Sequence, residues 1–281
     1  MTMGKVAESE FFTPVFLFAL PLLLILPSSG AGIVQTGIYF ICGWLLWSSV
    51  SEMTRFLLPV YPAASLLSAA VLEGRGFGGM RRIIKYVVLS CCAFTVYLSV
   101  FMFFNQGRWD VLSGAVPADD YLSNSRAGYP YPSYAAIKYA NDKLPAGSKV
   151  LFVGDAKSYP VARKFTADSV FDVNSLAEYA RVSSDGADMF ARIRADGITH
   201  IIFNPAEGFR NGVFSPFRDP VLSAKLADFW NRYLEQDAVF NDSVGGRTVN
   251  TVSVYAVKRR ENGVPPPFDY INYLLHRDGR K

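Results

Sequence analysis

Between Phe11 and Val50 the chain carries no Asp, Glu, Lys or Arg. A bilayer core about 30 Å thick needs roughly 20 apolar residues per helix. Residues 11–27 and 32–50 fit that length as two spans, broken by Ser28-Ser29-Gly30-Ala31-Gly32. Residues 56–72 read as a third span and residues 83–104 as a fourth. Pro14, Pro21, Pro59 and Pro62 lie in or near these runs, where neighbouring helices can satisfy the carbonyls that proline frees. A cleaved signal peptide fits the start poorly, because the apolar region is long and follows Glu8 and Glu10.

Past Asn105 the pattern changes. Residues 105–132 form a connector rich in Gly, Pro, Ser and Tyr, including Tyr129-Pro130-Tyr131-Pro132. Residues 133–144 read as a helix with Ser133 as N-cap and Pro145 and Gly147 past its end. Residues 149–153 are a β-rich run closing on Gly154-Asp155. A helix over 185–195 stops at Gly197, and a buried-type strand follows over 200–203. Residues 221–235 suit a longer helix, and 239–240 and 249–257 suit later strands, the last alternating through Val252, Val254 and Ala256. The expected fold is an α-helical membrane region of about four spans (residues 1–104), followed by a soluble α/β domain with a mixed sheet (residues 133–258). Residues 259–281, with Pro265-Pro266-Pro267, read as a flexible tail.

Charge sharpens this division. Of the 52 charged side chains among 281 residues, only ten precede Asn105, so a wholly soluble protein is excluded. Arg75, Arg81, Arg82 and Lys85 gather between and at the start of the last two spans. The positive-inside rule places that turn in the cytoplasm and residues 105–281 outside it. The formal net charge is +4, with no basic stripe, and nucleic acid is not an expected partner. Cys42, Cys91 and Cys92 all fall in apolar runs, which implies no disulfide framework. His200 and His276 lack ligand spacing for zinc. No charge sits in the middle of a span, which disfavours a pump or ion channel.

Asp155 admits two readings. A carboxylate just after a strand occupies the place where open α/β sheets hold ligands, and Gly-Asp is also an ordinary turn. The chain contains no dinucleotide-binding, phosphate-binding or nucleophile-elbow motif, so the α/β domain carries no self-sufficient active site.

The run Thr54-Arg55-Phe56-Leu57-Leu58-Pro59-Val60-Tyr61-Pro62 resembles a segment of the polytopic GT-C glycosyltransferases, the class of protein mannosyltransferases and aminoarabinose transferases. In those proteins an Arg-aromatic-Leu-Leu-Pro run opens a late transmembrane helix at its extracytoplasmic end. The resemblance extends to Pro14-Val15-Phe16-Leu17 with Leu20-Pro21-Leu22-Leu23, to Leu151-Phe152-Val153-Gly154-Asp155, to Asp168-Ser169-Val170-Phe171-Asp172, and to Thr199-His200-Ile201-Ile202-Phe203-Asn204.

This resemblance implies a sugar donor carried on polyprenyl phosphate and used at the outer face of the cytoplasmic membrane. Family members usually have eleven or more spans and a catalytic Asp in the first large outer loop. The chain therefore resembles the C-terminal portion of such an enzyme, without the catalytic base and inactive alone, and a separate N-terminal half or another membrane subunit becomes an expected partner. Glycosyl transfer needs a carboxylate to deprotonate the acceptor and cationic help at the leaving phosphate. Arg55 suits the lipid phosphate, since a guanidinium stays charged and binds bidentately; snorkelling to headgroups is the alternative. Glu52, Tyr61 and Asp155 are possible supporting residues, Tyr61 doubling as an interfacial aromatic. No cofactor is evident in the chain, while the resemblance allows a divalent metal. The rival expectation is a non-enzymatic, membrane-anchored α/β domain that binds a partner protein or a cell-envelope polymer.

Overall fold

A computed structural model describes residue 16 and residues 30–50, 54–73, 79–126, 129–169, 172–244 and 247–258. The chain divides into two compact units, Met1–Ser113 and Gly114–Lys281.

The first unit is helical. Helix α1, Ala31–Val50, is followed by a 3-10 segment, Thr54–Val60, and by helix α2, Tyr61–Glu73. Helix α3 covers Arg81–Asn105, and the short helix α4 covers Arg108–Leu112. Serine and threonine inside the longer helices turn back on their own backbones. Thr36 donates to the Gly32 carbonyl at 2.8 Å, Ser68 to Ala64 at 2.8 Å, and Thr95 to Cys91 at 2.9 Å. Such a bond satisfies a hydroxyl within its own helix, which suits an apolar medium. The 3-10 segment packs on α1. A Cβ on Gly43 would lie 2.7 Å from Val60 Cγ2, and the Tyr39 hydroxyl donates to the Pro59 carbonyl at 3.3 Å. Glycine here permits the close helix approach common in membrane bundles.

Two described helices, Ala31–Ser49 and Arg81–Asn105, are long and apolar enough to cross a membrane, and they support membrane association. Four such spans are not found among the described residues. The expected span 11–27 lies outside the described residues except for Phe16. The expected span 56–72 is not one α-helix. Pro59 lacks an amide proton, and the segment around it winds as a 3-10 helix as far as Val60. The α part that follows has 13 residues, about 20 Å at 1.5 Å per residue, short of the bilayer core.

The second unit is an α/β fold. Helix α5, Ala118–Ser123, precedes α6, Tyr134–Lys143, and then strand β1, Lys149–Val153. Strand β2 is Lys164–Ala167, followed by helices α7, Ser175–Val182, and α8, Gly186–Ala195. Strand β3 is His200–Phe203; helix α9, Pro205–Arg210, a 3-10 turn, Ser215–Arg218, and helix α10, Pro220–Tyr233, follow it. Strands β4, Leu234–Val244, and β5, Arg247–Val257, complete one mixed sheet in the order β2-β1-β3-β5-β4. The pairs β1–β2 and β1–β3 are parallel, while β3–β5 and β4–β5 are antiparallel.

The period of two along β1 sorts its side chains onto two faces. Val150 and Phe152 join Ile202, Val252 and Val254 beneath α6. Leu151 and Val153 join Ile201, Phe203 and Tyr255 in the larger core under α7, α8 and α10. Side-chain caps set the starts of four helices: Asn174 accepts from Leu176, Asp185 from Asp188, Asn204 from Glu207 and Asp219 from Val221. Gly197 closes α8 in the left-handed conformation at φ +77°.

Candidate functional site

Strand β1 has parallel neighbours on both sides, and the chain leaves its carboxyl end in one direction for β2 and later returns on the other side as β3. That is a topological switch point, the place where open α/β sheets form ligand crevices. Gly154 follows β1 at φ +97°, and a Cβ there would lie 2.1 Å from the Asn204 carbonyl oxygen and 3.2 Å from the Gly208 nitrogen. The loops after β1 and β3 therefore meet through backbone, and only glycine permits the approach.

A polar network fills one side of this junction. Asp155 is 4% exposed. Its Oδ2 accepts from Ser133 Oγ at 2.7 Å and from the Tyr129 hydroxyl at 3.1 Å, while Oδ1 accepts from the Lys157 amide at 3.0 Å. Asn204 donates to the Tyr131 carbonyl at 3.0 Å and to Ser133 Oγ at 2.9 Å. Glu207, 2% exposed, accepts from Lys157 Nζ at 2.9 Å and from Arg210 through a fork of 2.8 and 2.6 Å. Lys157 Nζ also lies 3.8 Å from Asp155 Oδ1 and 4.1 Å from the centre of the Tyr129 ring.

The electrostatics follow from these contacts. Burial alone raises the Glu207 carboxyl, but hydrogen bonds and charge from Arg210 and Lys157 outweigh it and hold the group below its ordinary value. Burial, together with the Asp155 charge, pushes the Tyr129 phenol well above its ordinary range, so it remains a donor at neutral pH. Both Asp155 oxygens are engaged. This carboxylate fastens residues 129–133 to the end of the sheet.

On the other side of Asp155 a cleft of about 330 Å³ remains, lined among others by Gly154, Asp168, Asp172, Arg181 and Asn211. Asp168 accepts from the Ser175 amide at 2.7 Å and Asp172 from the Ser169 amide at 2.9 Å. The Ser175 hydroxyl donates to the second Asp168 oxygen, and Arg181 pairs with Glu178, so each charged side chain lining the cleft is already held by a protein partner. Among the described residues no three His, Cys, Asp or Glu side chains come together as metal ligands.

The other residues singled out by sequence lie in the helical unit. Arg55 is the second residue of the 3-10 segment, and Tyr61 begins α2 with its ring 5.7 Å from that of Phe16. Glu52 falls outside the described residues. The sequence points to Asp155 but not to Lys157, Asn204 or Glu207, and Ser133 stands at the N-cap of α6 as its pattern predicts. The Ser133 hydroxyl makes no cap hydrogen bond and turns to Asp155 instead. The one available signal for Asn204 was Asn-Pro directly after a buried strand, a helix-start pattern.

The fold of the second unit is that of an open, partly parallel α/β sheet with a crevice at its switch point. No protein-family model and no curated protein matches the chain.

Proposed function

We propose that this chain is part of an integral membrane glycosyltransferase that uses a polyprenyl-phosphate-linked sugar at the outer face of the cytoplasmic membrane. The observation that carries the reading is the setting of Arg55. It is the sole Lys or Arg between Lys5 and Arg75, and its Arg-Phe-Leu-Leu-Pro run winds as a 3-10 segment against the span-length helix α1. A 3-10 helix rises about 2.0 Å per residue and an α-helix about 1.5 Å. Thr54–Val60 and α2 end to end therefore extend about 33 Å, enough for a third crossing that begins at Arg55. The Arg75–Lys85 turn then lies in the cytoplasm and Arg55 at the outer face, where lipid-linked phosphate is presented. The α/β unit stands outside the membrane, and its cleft engages the acceptor. Transfer itself requires a carboxylate base from another part of the enzyme.

The test is binding of a polyprenyl-phosphate sugar to the purified chain in lipid nanodiscs. A charge-assisted hydrogen bond contributes roughly 1.5–3 kcal/mol, so Arg55→Ala should weaken binding by about one to two decades. Arg55→Lys should restore part of it, keeping the charge and losing the fork. Equal affinity in wild type and Arg55→Ala removes the phosphate role. Sugar transfer by the chain alone would contradict the missing-base part of the proposal.

The rival reading, a membrane-anchored domain that binds a protein or a polymer, draws on the fully paired state of Asp155. It predicts that polyprenyl phosphate does not bind and that an envelope component protects the cleft.

A further inference from the structure

We infer that helix α4 lies in the outer membrane–water interface and that Trp109 is its anchor in the phospholipid bilayer. The inference rests on the reading of α1 and α3 as membrane-crossing helices, and it assigns a depth to a segment which that reading leaves undetermined.

Helix α3 ends in two unlike collars. Arg81, Arg82 and Lys85 occupy its first turns, and Tyr97, Phe101, Phe103 and Phe104 its last ones. From Lys85 to Phe104 the rise is about 28 Å at 1.5 Å per residue, close to the ~30 Å of a bilayer core. Cationic side chains hold a span at one interface, and a Trp or Tyr with a polar edge holds it at the other, where Trp109 follows the apolar Phe cluster of α3.

The chain then leaves the axis of α3. Gly107 takes φ +67°, a left-handed conformation that stops the helix, and its amide bonds back to the Phe104 carbonyl at 2.9 Å. In α4, Trp109 and Leu112 are three residues apart and share one face. Trp109 is 51% exposed and Leu112 73%. The Trp109 ring meets Phe104 at 5.7 Å, and Phe104 meets Phe103 edge-on at 5.7 Å. The exposed apolar face of α4 therefore continues the aromatic collar of α3, while the charged residues Arg108 and Asp110 flank Trp109. A short apolar stripe, an indole with one polar edge and adjoining charges suit the headgroup boundary better than hydrocarbon or water.

The experiment uses the full chain in nanodiscs made with phospholipid brominated either high on the acyl chains or near their ends. The emission difference between wild type and Trp109→Phe isolates Trp109. The residual emission reports Trp44, Trp47 and the buried core residue Trp230. Trp109 at the interface predicts a blue-shifted difference spectrum that is largely lost with the shallow bromine label and largely kept with the deep label and with aqueous iodide. Loss to iodide without loss to either lipid would place α4 in water or against a protein partner and overturn the inference. Stronger loss to the deep label would make α4 an extension of the span and overturn it equally. If neither label lowers the residual emission, Trp44 and Trp47 do not face lipid either, and the membrane reading beneath the inference fails with it.

Discussion

The two units use apolar side chains in opposite ways. In the α/β unit Trp230, Phe229, Phe203 and Tyr255 are almost wholly buried, and of the twelve largest fully buried side chains described, only Leu57 belongs to the helical unit. In the helical unit Leu45, Leu46, Phe94 and Tyr97 are each more than half exposed. Polar groups differ as well. Serine and threonine in the long helices bond to carbonyls three or four residues back, whereas Asp155, Asn204 and Glu207 reach across elements or between loops. An apolar surface on the outside and polar groups closed on themselves suit a hydrocarbon solvent. A buried apolar core with a polar network at its edge suits water. The chain's 51% hydrophobic content is the sum of these two opposite designs.

The largest test of this contrast lies in the core of the α/β unit. Residues 114–258 should unfold cooperatively in the absence of the helical unit. Trp230→Ala should lower that stability by roughly 3–5 kcal/mol, because Trp230 packs edge-on against Phe203 at 4.9 Å and Tyr255 at 5.1 Å. Urea denaturation followed by circular dichroism reads both effects. A fragment that dissolves only in detergent, or a variant as stable as the parent, would show that the unit does not hold its own core.

A somewhat smaller effect is expected at Phe94, near the middle of α3 and 52% exposed. On a water-facing surface Phe94→Asp would change little. In lipid, exchanging an aromatic for a carboxylate at mid-span costs about 3 kcal/mol of insertion. Microsomal insertion of the chain with Phe94→Asp, beside Phe94→Leu as a neutral control, distinguishes the two solvents. Unchanged insertion would mean that α3 does not meet lipid.

How far each unit is legible in the sequence follows from the range of its interactions. Strands β1 and β3 and helix α8 stand out because hydrophobic period, caps and stop signals are local; Asp185 and Gly197 bracket α8 within a short stretch of chain. Strand β2 was not legible. It is four residues long, carries Lys164 and a 44%-exposed Phe165, and has one partner strand, so its pairing and not its composition makes it a strand. Helix α7 has a local cap in Asn174 and buries Leu176, Ala177 and Ala180, but its eight residues are too short a run for the helical period to stand out. At the switch point Asp155 was visible as a carboxylate after a strand. Its partner Ser133 lies 22 positions away, and Lys157 and Glu207 are 50 positions apart, distances at which only the folded chain creates an association. In the helical unit the apolar runs were plain, but the division of residues 54–73 into 3-10 and α parts turns on proline geometry that hydrophobicity does not report.

The smallest effect sharpens the polar side of the contrast. Glu207 is almost fully buried, while Lys157 and Arg210 are each 41% exposed. Solvent screening of the cations limits the network to on the order of 1–2 kcal/mol. A carboxyl whose folded pKa lies below its unfolded value binds fewer protons when folded, so stability falls as the pH falls. The Glu207 contribution should be complete above its ordinary value of 4.5 and fade as the pH drops through its lower folded value. Glu207→Gln keeps the shape and much of the hydrogen bonding but removes the titration. It should therefore lower the stability of residues 114–258 at pH 7 and flatten the acid limb, variant and wild type converging as the pH falls through the lowered folded value of Glu207. Denaturation midpoints measured from about pH 3 to pH 7 distinguish the outcomes. Parallel curves would mean that Glu207 does not discharge on unfolding, and that the polar network at the switch point is held by the hydrogen bonds that Ser133 and Tyr129 give to Asp155 and by those of Asn204.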